Sequence, residues 1–325
     1  MNIFLTGGAG YIGSATAAAL LKANHRVTVY DSLITGHKEA IPEGARFVHA
    51  DLGDQELLSS TLMSERYDAI MHFAAFIEAG ESMRDPGKYF YNNLVLSSHL
   101  IEAVIKAEIP RFVLSSTAAV YASSDEPISE HAPLGPTNVY GQTKLMVEQS
   151  LRWYNEIHGL KFAALRYFNA AGAYPNRGEA HQPESHLIPL VLQVALGQRE
   201  EIHVFGTDYP TPDGTCIRDY IHIADLIDAH LLALDALDKY GQLIYNLGNG
   251  AGYSVREVID AAREVTDRSI RETDSPRRSG DAPRLVASAE KIRRELGWEP
   301  AFPEIQQIIA SAWAWHSSNP EGYAS

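Results

Sequence analysis

Tyr140 and Lys144 stand four residues apart in a stretch that reads as a helix from Val139 to His158, so both side chains share one face. A free tyrosine titrates at about 10 and is a poor base at neutrality. An ammonium beside it, helped by a positively charged ligand ring, would stabilise the phenolate and lower that value. Tyr-x-x-x-Lys is cheap by chance and usually marks a solvated helix face. Here Ser115-Ser-Thr117 ends the preceding apolar strand and supplies hydroxyls where a substrate should lie. Thr117 can relay a proton or orient a hydroxyl toward Tyr140. The three residues read as an acid–base device for an alcohol carbon.

The partner for that device lies far upstream. Thr6-Gly-Gly-Ala-Gly-Tyr-Ile-Gly13 follows a short apolar strand and opens a helix. Gly7, Gly10 and Gly13 allow a tight turn and bring backbone amides close to a pyrophosphate at the helix N-terminus. Asp31 ends the second strand, where a carboxylate can hold the adenosine ribose hydroxyls. Ser32 follows it rather than Arg, so NAD is favoured over NADP. Asp51, after the third strand, could reach the adenine, although a plain turn fits its spacing nearly as well. A hydride carrier and a proton device in one chain imply redox chemistry on an alcohol carbon.

The elements that must position these residues alternate through the first half. Strands are expected at Ile3 to Leu5, Arg26 to Tyr30, Ala45 to His49, Ala69 to Phe73, Phe112 to Ser115 and Phe162 to Arg166. Helices are expected at Ile12 to Ala23, Gln55 to Met63, Asn93 to Ala107 and Val139 to His158. This rhythm predicts an α/β fold with a doubly wound parallel (Rossmann) sheet. After Asn169 it breaks into Gly/Pro-rich loops at 170–183 and 206–215. Residues 1–169 are read as the dinucleotide-binding domain, completed by segments near 220–250 that include a strand at Gln242 to Leu247. Residues 170–325 are read as a smaller α/β substrate-binding region.

Composition excludes several classes. A formal net charge of −14 over 325 residues argues against a nucleic-acid surface. No apolar run approaches the roughly 20 residues that span a bilayer, and the start lacks a signal peptide's pattern. The single cysteine, Cys216, rules out a disulfide framework and suits a reducing cytoplasm. The 13 histidines lack a helical His-x-x-x-His pair or a Cys partner; His181 and His186 read as satisfied or surface residues, and no metal is expected.

These motifs resemble the extended short-chain dehydrogenases/reductases and, within them, the UDP-glucose 4-epimerase family. The broad part rests on the glycine loop, His72-Phe-Ala-Ala75, Ser115-Ser-Thr-Ala-Ala-Val-Tyr121 and Tyr140-Gly-Gln-Thr-Lys-Leu-Met-Val-Glu148. The narrower part rests on Arg166-Tyr-Phe-Asn169, Phe205-Gly-Thr-Asp-Tyr-Pro-Thr211, Asp213-Gly-Thr215, Arg218-Asp-Tyr-Ile-His222 and Pro276-Arg-Arg-Ser-Gly-Asp281. The resemblance implies Tyr140 as active-site base, Lys144 as its partner and Thr117 in a place more often filled by Ser. It implies cofactor contacts from Tyr11, Ile12, Leu52, Phe73, Ala74, Ala75, Asn92, Ser115, Tyr167 and Phe168. Asn169, His186, Leu187, Phe205, Arg218, Tyr220, Arg278 and Asp281 fall where the family holds UDP.

The implied activity interconverts UDP-glucose and UDP-galactose through oxidation at C4, ring rotation and re-reduction by a retained NAD. The implied assembly is a homodimer through the helices Asn93 to Ala107 and Val139 to His158. Ile77 stands where some members carry a lysine, and His186 where some carry asparagine. Leu285, at the gate on the sugar's 2-substituent, leaves N-acetylated sugars and pentoses open. A 4,6-dehydratase would need an acidic pair after Thr117, where this chain has Ala118-Ala119. A dehydrogenase that releases NADH would share the same motifs, as would, in part, a non-enzymatic NAD sensor.

Overall fold

Strands with apolar side chains on both faces set the central sheet. β1 (Asn2–Thr6) is buried at every position, β2 (Arg26–Asp31) at all but the first, and β4 (Ala69–His72) throughout. Such runs suit a parallel sheet covered by helices on both sides. The computed structural model describes residues 1–122, 124, 126–278 and 281–323. In it β3 (Arg46–His49), β5 (Arg111–Thr117), β6 (Lys161–Tyr167) and strand Gln242–Leu247 complete a seven-stranded sheet. Its order is Gln242–Leu247, β6, β5, β4, β1, β2, β3. β1 pairs in parallel with both β2 and β4, so the winding reverses there. In this class of sheet ligands bind beyond the carboxyl ends of the strands at that point. The doubly wound fold expected from the sequence is the one adopted.

Helices α1 (Tyr11–Lys22), α2 (Gln55–Met63), the short α3 (Ala79–Ser82) and α4 (Pro86–Tyr89), α5 (Leu96–Lys106) and α6 (Val139–His158) follow in the same unit. α2 and α6 run over the residues their patterns predict. Asp54 caps the first by accepting from Leu57 N, and Asn138 the second by accepting from Gly141 N. The helix expected from Asn93 differs: a π-wound turn, Phe90–Val95, leads into α5. Asn93 is buried inside that turn, accepting from Phe76 N and donating to the Phe76 carbonyl and the Thr143 hydroxyl. It is a tie to neighbouring segments rather than a helix start. The core packs Phe4, Ile70, Phe112 and Phe162 with Leu100, Ile101 and Leu151.

The chain forms two compact units, one of Met1–Ala122, Pro133–Arg166 and Ile227–Tyr245, the other of Ser123–Ala132, Tyr167–Leu226 and Asn246–Ser325. The 123–132 segment groups with the second because Ile128 N donates to the Val286 carbonyl and Ser288 N to that of Ile128. In the second unit α7 (Leu187–Ala195) and the helices Val255–Thr266 and Ile305–Ser318 enclose Val191, Leu192, Val258, Ile259, Ile308 and Ile309. Asn169–Ala171 pairs with Tyr220–His222, and Ile202–Phe205 with Glu272–Ser275, both in parallel. Ile217–Arg218 lies between Tyr253–Ser254 and Arg284–Leu285. No helix among the described residues is long and apolar enough to cross a membrane.

Candidate active site

The turn after β1 can only be built from glycines. Gly7 sits at φ +72, and a Cβ there would lie 2.4 Å from Ala74 N in the turn after β4. A Cβ on Gly13 would lie 2.1 Å from the Gly7 carbonyl oxygen. α1 therefore starts hard against β1, from an N-cap at Gly10 with no side-chain cap and no acid in its first turn. Its first N–H groups and the positive end of its dipole are left for an anion. Asp31 is buried and accepts from Ala9 N and Leu33 N, each at 2.8 Å. Burial raises its pKa, and these two amides oppose the rise. Each carboxylate oxygen keeps a further acceptor site.

Gly7, Asp31, Ser32, Asp51, Leu52, Ala74, Ala75 and Asn92 line one cavity at this edge of the sheet. Ile34, Thr35 and Phe76 line it too; they sit in loop sequence whose pattern carries no signal for a ligand. Gly10, Tyr11, Ile12 and Gly13 form the turn and the start of α1, while Phe73 follows β4. Tyr167 and Phe168 fall in the second unit. A turn closed to a Cβ at Gly7 and Gly13, an uncapped helix start and a carboxylate ending β2 fit a dinucleotide.

The acid–base group is assembled from β5 and α6. Thr117 ends β5, and its hydroxyl is near enough to the Tyr140 phenol to favour the phenolate. A Cβ on Gly141 would lie 2.2 Å from the Ala119 carbonyl oxygen. That close approach presses α6 onto the 118–120 turn and brings Tyr140 to Thr117. Ser82 Oγ accepts from Tyr140 N at 3.2 Å. One turn further, Lys144 is buried and its Nζ donates to the Ser115 carbonyl at 2.8 Å. Burial lowers its pKa to about 8, against the pull of Glu148.

Tyr140 behaves differently from the sequence expectation. Burial pushes its pKa up to about 12; Thr117 opposes this and Glu78 adds to it. Desolvation outweighs any help from Lys144, whose ammonium is directed at Ser115. The lowered phenol pKa is therefore not a property of these side chains alone.

Behind Lys144 lies a buried network that the motifs do not announce. Glu148 accepts from the Ser116 hydroxyl at 2.5 Å and from Arg166 Nε at 2.9 Å and Nη2 at 2.5 Å. Arg166 Nη1 also donates to the Tyr121 hydroxyl at 2.7 Å. Ser116, Tyr121, Glu148 and Arg166 all stand in motif segments, and Glu148 is one helical turn beyond Lys144 on the same face.

A second cavity belongs to the other unit. Asn169, His186, Leu187, Phe205, Arg218, Tyr220, Arg278 and Asp281 all line it, joined by Glu179, His203 and Cys216. Arg218 Nη1 donates to the Ala282 carbonyl at 2.8 Å, and its Nη2 is 3.4 Å from Asp281 Oδ1. Arg278 lies over the Phe205 ring, 4.3 Å from its centroid, with Nε 3.8 Å from Asp281 Oδ2. Two guanidinium groups thus meet at one carboxylate, a set of donors suited to phosphate oxygens. Leu285 pairs with Arg218 across adjacent strands. Ser279 and Gly280 of the Pro276–Asp281 motif lie outside the described residues.

A Rossmann sheet with a glycine cradle, and a Tyr–Lys pair beside a hydroxyl at the end of β5, define a dinucleotide-dependent enzyme of short-chain dehydrogenase/reductase type. The profile of the NAD dependent epimerase/dehydratase family matches residues 3–248. The UDP-glucose 4-epimerase of Halalkalibacterium halodurans is 48% identical, with 100% of this chain and 98% of that protein aligned. A crystal structure of UDP-glucose 4-epimerase superposes with a TM-score of 0.97 at 49% identity, covering 100% of each chain. The Bifidobacterium longum UDP-glucose 4-epimerase in complex with NAD+ and UDP superposes at 0.94 with 35% identity, covering 99% of this chain and 100% of that one. The chain belongs to the NAD-dependent epimerase/dehydratase family.

Proposed function

We propose that the chain interconverts UDP-glucose and UDP-galactose by transient oxidation at C4, with NAD as a retained and recycled cofactor. The observation that carries the reading is the placing of Tyr140 near Thr117, one turn before buried Lys144 with its tie to Ser115, and with Ala118-Ala119 rather than further acids after Thr117. Such a site moves one proton at a carbinol, and Ala118-Ala119 supply no acid–base pair for expelling water. The hydride chemistry would be supplied by bound NAD, to which C4 would lose a hydride and from which it would regain one on the opposite face of the sugar, with no net redox change.

Tyr140 removes the proton of the 4-hydroxyl and later returns it. Thr117 orients the sugar hydroxyl and stabilises the phenolate. Lys144 supplies the positive charge on the same face of α6. The glycine turn, the start of α1 and Asp31 hold the dinucleotide, with Ser32 after Asp31 favouring NAD. Arg218 and Arg278 hold the diphosphate, and Asn169, His186, Leu187, Phe205, Tyr220 and Asp281 complete the nucleotide site. Anchoring the nucleotide away from the reacting carbon stabilises substrate and intermediate alike and leaves the hexose free to turn.

The reading includes a homodimer through α5 and α6, supported by exposed Trp153 and Ile157 on α6 and exposed Val95 in the π-wound turn that leads into α5. Light scattering that returned the mass of a single chain would contradict it. A cytoplasmic location accords with the free thiol of Cys216. The direct test incubates purified protein with UDP-galactose, without added NAD, and assays UDP-glucose. Conversion that Tyr140→Phe abolishes supports the proposal; failure even with added NAD contradicts it.

A further inference from the structure

Glu179-Ala-His181-Gln-Pro-Glu184-Ser-His186 precedes α7 with a spacing that predicts no metal. Folding gathers its four polar side chains. His181 Nδ1 lies 3.1 Å and His186 Nδ1 2.9 Å from the same oxygen, Glu179 Oε1. Glu184 Oε1 lies 2.9 Å from His186 Nδ1. One donor atom from each of the four residues lies within 4.8 Å of every other. Ligands at about 2.0–2.1 Å around a tetrahedral ion are separated by roughly 3.3 Å, which the three pairs at 2.9–3.1 Å approach.

Charge points the same way. Glu179 is only 4% exposed, and it faces the imidazoles of His181 and His186, with His316 near it as well. The two rings lie with their centroids 5.2 Å apart, both beside Glu179. A single divalent cation at the centre of the cluster balances the two carboxylates and takes both rings as neutral ligands.

We propose that Glu179, His181, Glu184 and His186 form a four-coordinate site for a zinc-type divalent cation. Two imidazole nitrogens favour zinc over magnesium or calcium, which prefer all-oxygen sets. The balance is simple: one cation enters, both Nδ1 atoms become ligands, and any protons they carried are released. Four protein ligands leave no open position, so the ion braces the loop rather than performing chemistry. Glu179 and His186 also line the cavity of Arg218 and Arg278, so the brace stiffens one of its walls.

The test needs no assay of activity. Untagged protein is purified without chelator, dialysed against metal-free buffer and analysed for metal by mass spectrometry. About one zinc per chain is expected. After chelator treatment, Co2+ should give the intense visible bands of a tetrahedral nitrogen–oxygen site, and Zn2+ should abolish them. Glu179→Gln and His181→Asn should each lose most of the retained zinc. Wild-type protein that retains no zinc and gives no such Co2+ bands overturns the proposal. Stoichiometric zinc in both variants overturns it as well, by placing the ion elsewhere. If a variant does not fold, the wild-type Co2+ spectrum and its reversal by Zn2+ decide the matter.

Discussion

The Lys144 ammonium donates to the Ser115 carbonyl oxygen at 2.8 Å, with both residues buried. The bond ties α6 to the carboxyl end of β5, two residues before Thr117. Tyr140, one turn earlier on α6, is thereby held against Thr117. Acid–base geometry here depends on a strand–helix tie as much as on the reacting groups.

That tie makes the rate sensitive to alkali. Burial lowers the Lys144 pKa to about 8, so its charge is lost as pH rises through that value. Turnover should fall above about pH 8. In Lys144→Arg the remaining activity should lack this limb, because guanidinium does not titrate there. A wild-type profile flat to about pH 10 would remove the Lys144 charge from the account.

Thr117 opposes the rise in the Tyr140 pKa that burial causes. Thr117→Val should raise that pKa further and slow turnover by on the order of 100-fold, whereas Thr117→Ser should stay near wild type. Steady-state kinetics on UDP-galactose separate the two. A fully active Thr117→Val variant would show the hydroxyl to be dispensable.

The Glu148–Arg166 ion pair is enclosed, with side-chain exposures of 0% and 1%. Glu148→Gln leaves a buried guanidinium without its counter-charge and should cost about 3–5 kcal/mol in urea unfolding. Glu148→Leu with Arg166→Met should cost less than the sum of the single changes. Because Glu148 raises the Lys144 pKa, Glu148→Gln should also move the alkaline rate limb to lower pH. An unmoved limb would uncouple the pair from Lys144.

His72 is buried between the hydroxyls of Thr6, 2.6 Å from Nδ1, and Ser97, 2.8 Å from Nε2. Burial, then Lys144, lowers its pKa from 6.5 to about 3. The unfolded chain takes up a proton on this side chain well before the folded one does. Its stabilisation is therefore complete above about pH 6.5 and is lost as pH falls toward 3. Urea midpoints at about pH 7 and about pH 4.5 should differ less in His72→Gln than in wild type. An equal difference would assign the acid sensitivity to other groups.

Much of the molecule is legible in the residue order because the patterns are local. β1, β2, β4, β5, β6, α2 and α6 follow from buried apolar runs and helix caps, and Gly7, Gly13 and Asp31 take their roles from position relative to those strands. Gly141 cannot be understood that way, since its reason is the Ala119 carbonyl oxygen on a separate segment. The same holds for Asn93, whose partners Phe76 and Thr143 come from other segments and turn an expected helix start into a π-wound tie. The Tyr140 pKa runs against the expectation because sequence displays the nearby cation but not the desolvation that opposes it. Glu179, His181, Glu184 and His186 are silent in the sequence because their spacing matches no regular element and only the folded loop joins them.

The central claim is that the hydride leaving C4 returns to the same carbon. UDP-galactose carrying deuterium at C4 should be incubated with the enzyme in ordinary water, and the UDP-glucose formed examined by NMR and mass spectrometry. The account predicts that the deuterium is retained at C4 and that Tyr140→Phe gives almost no product. Loss of the label to solvent would mean that C4 exchanges a proton rather than a hydride, and would contradict the mechanism at its core.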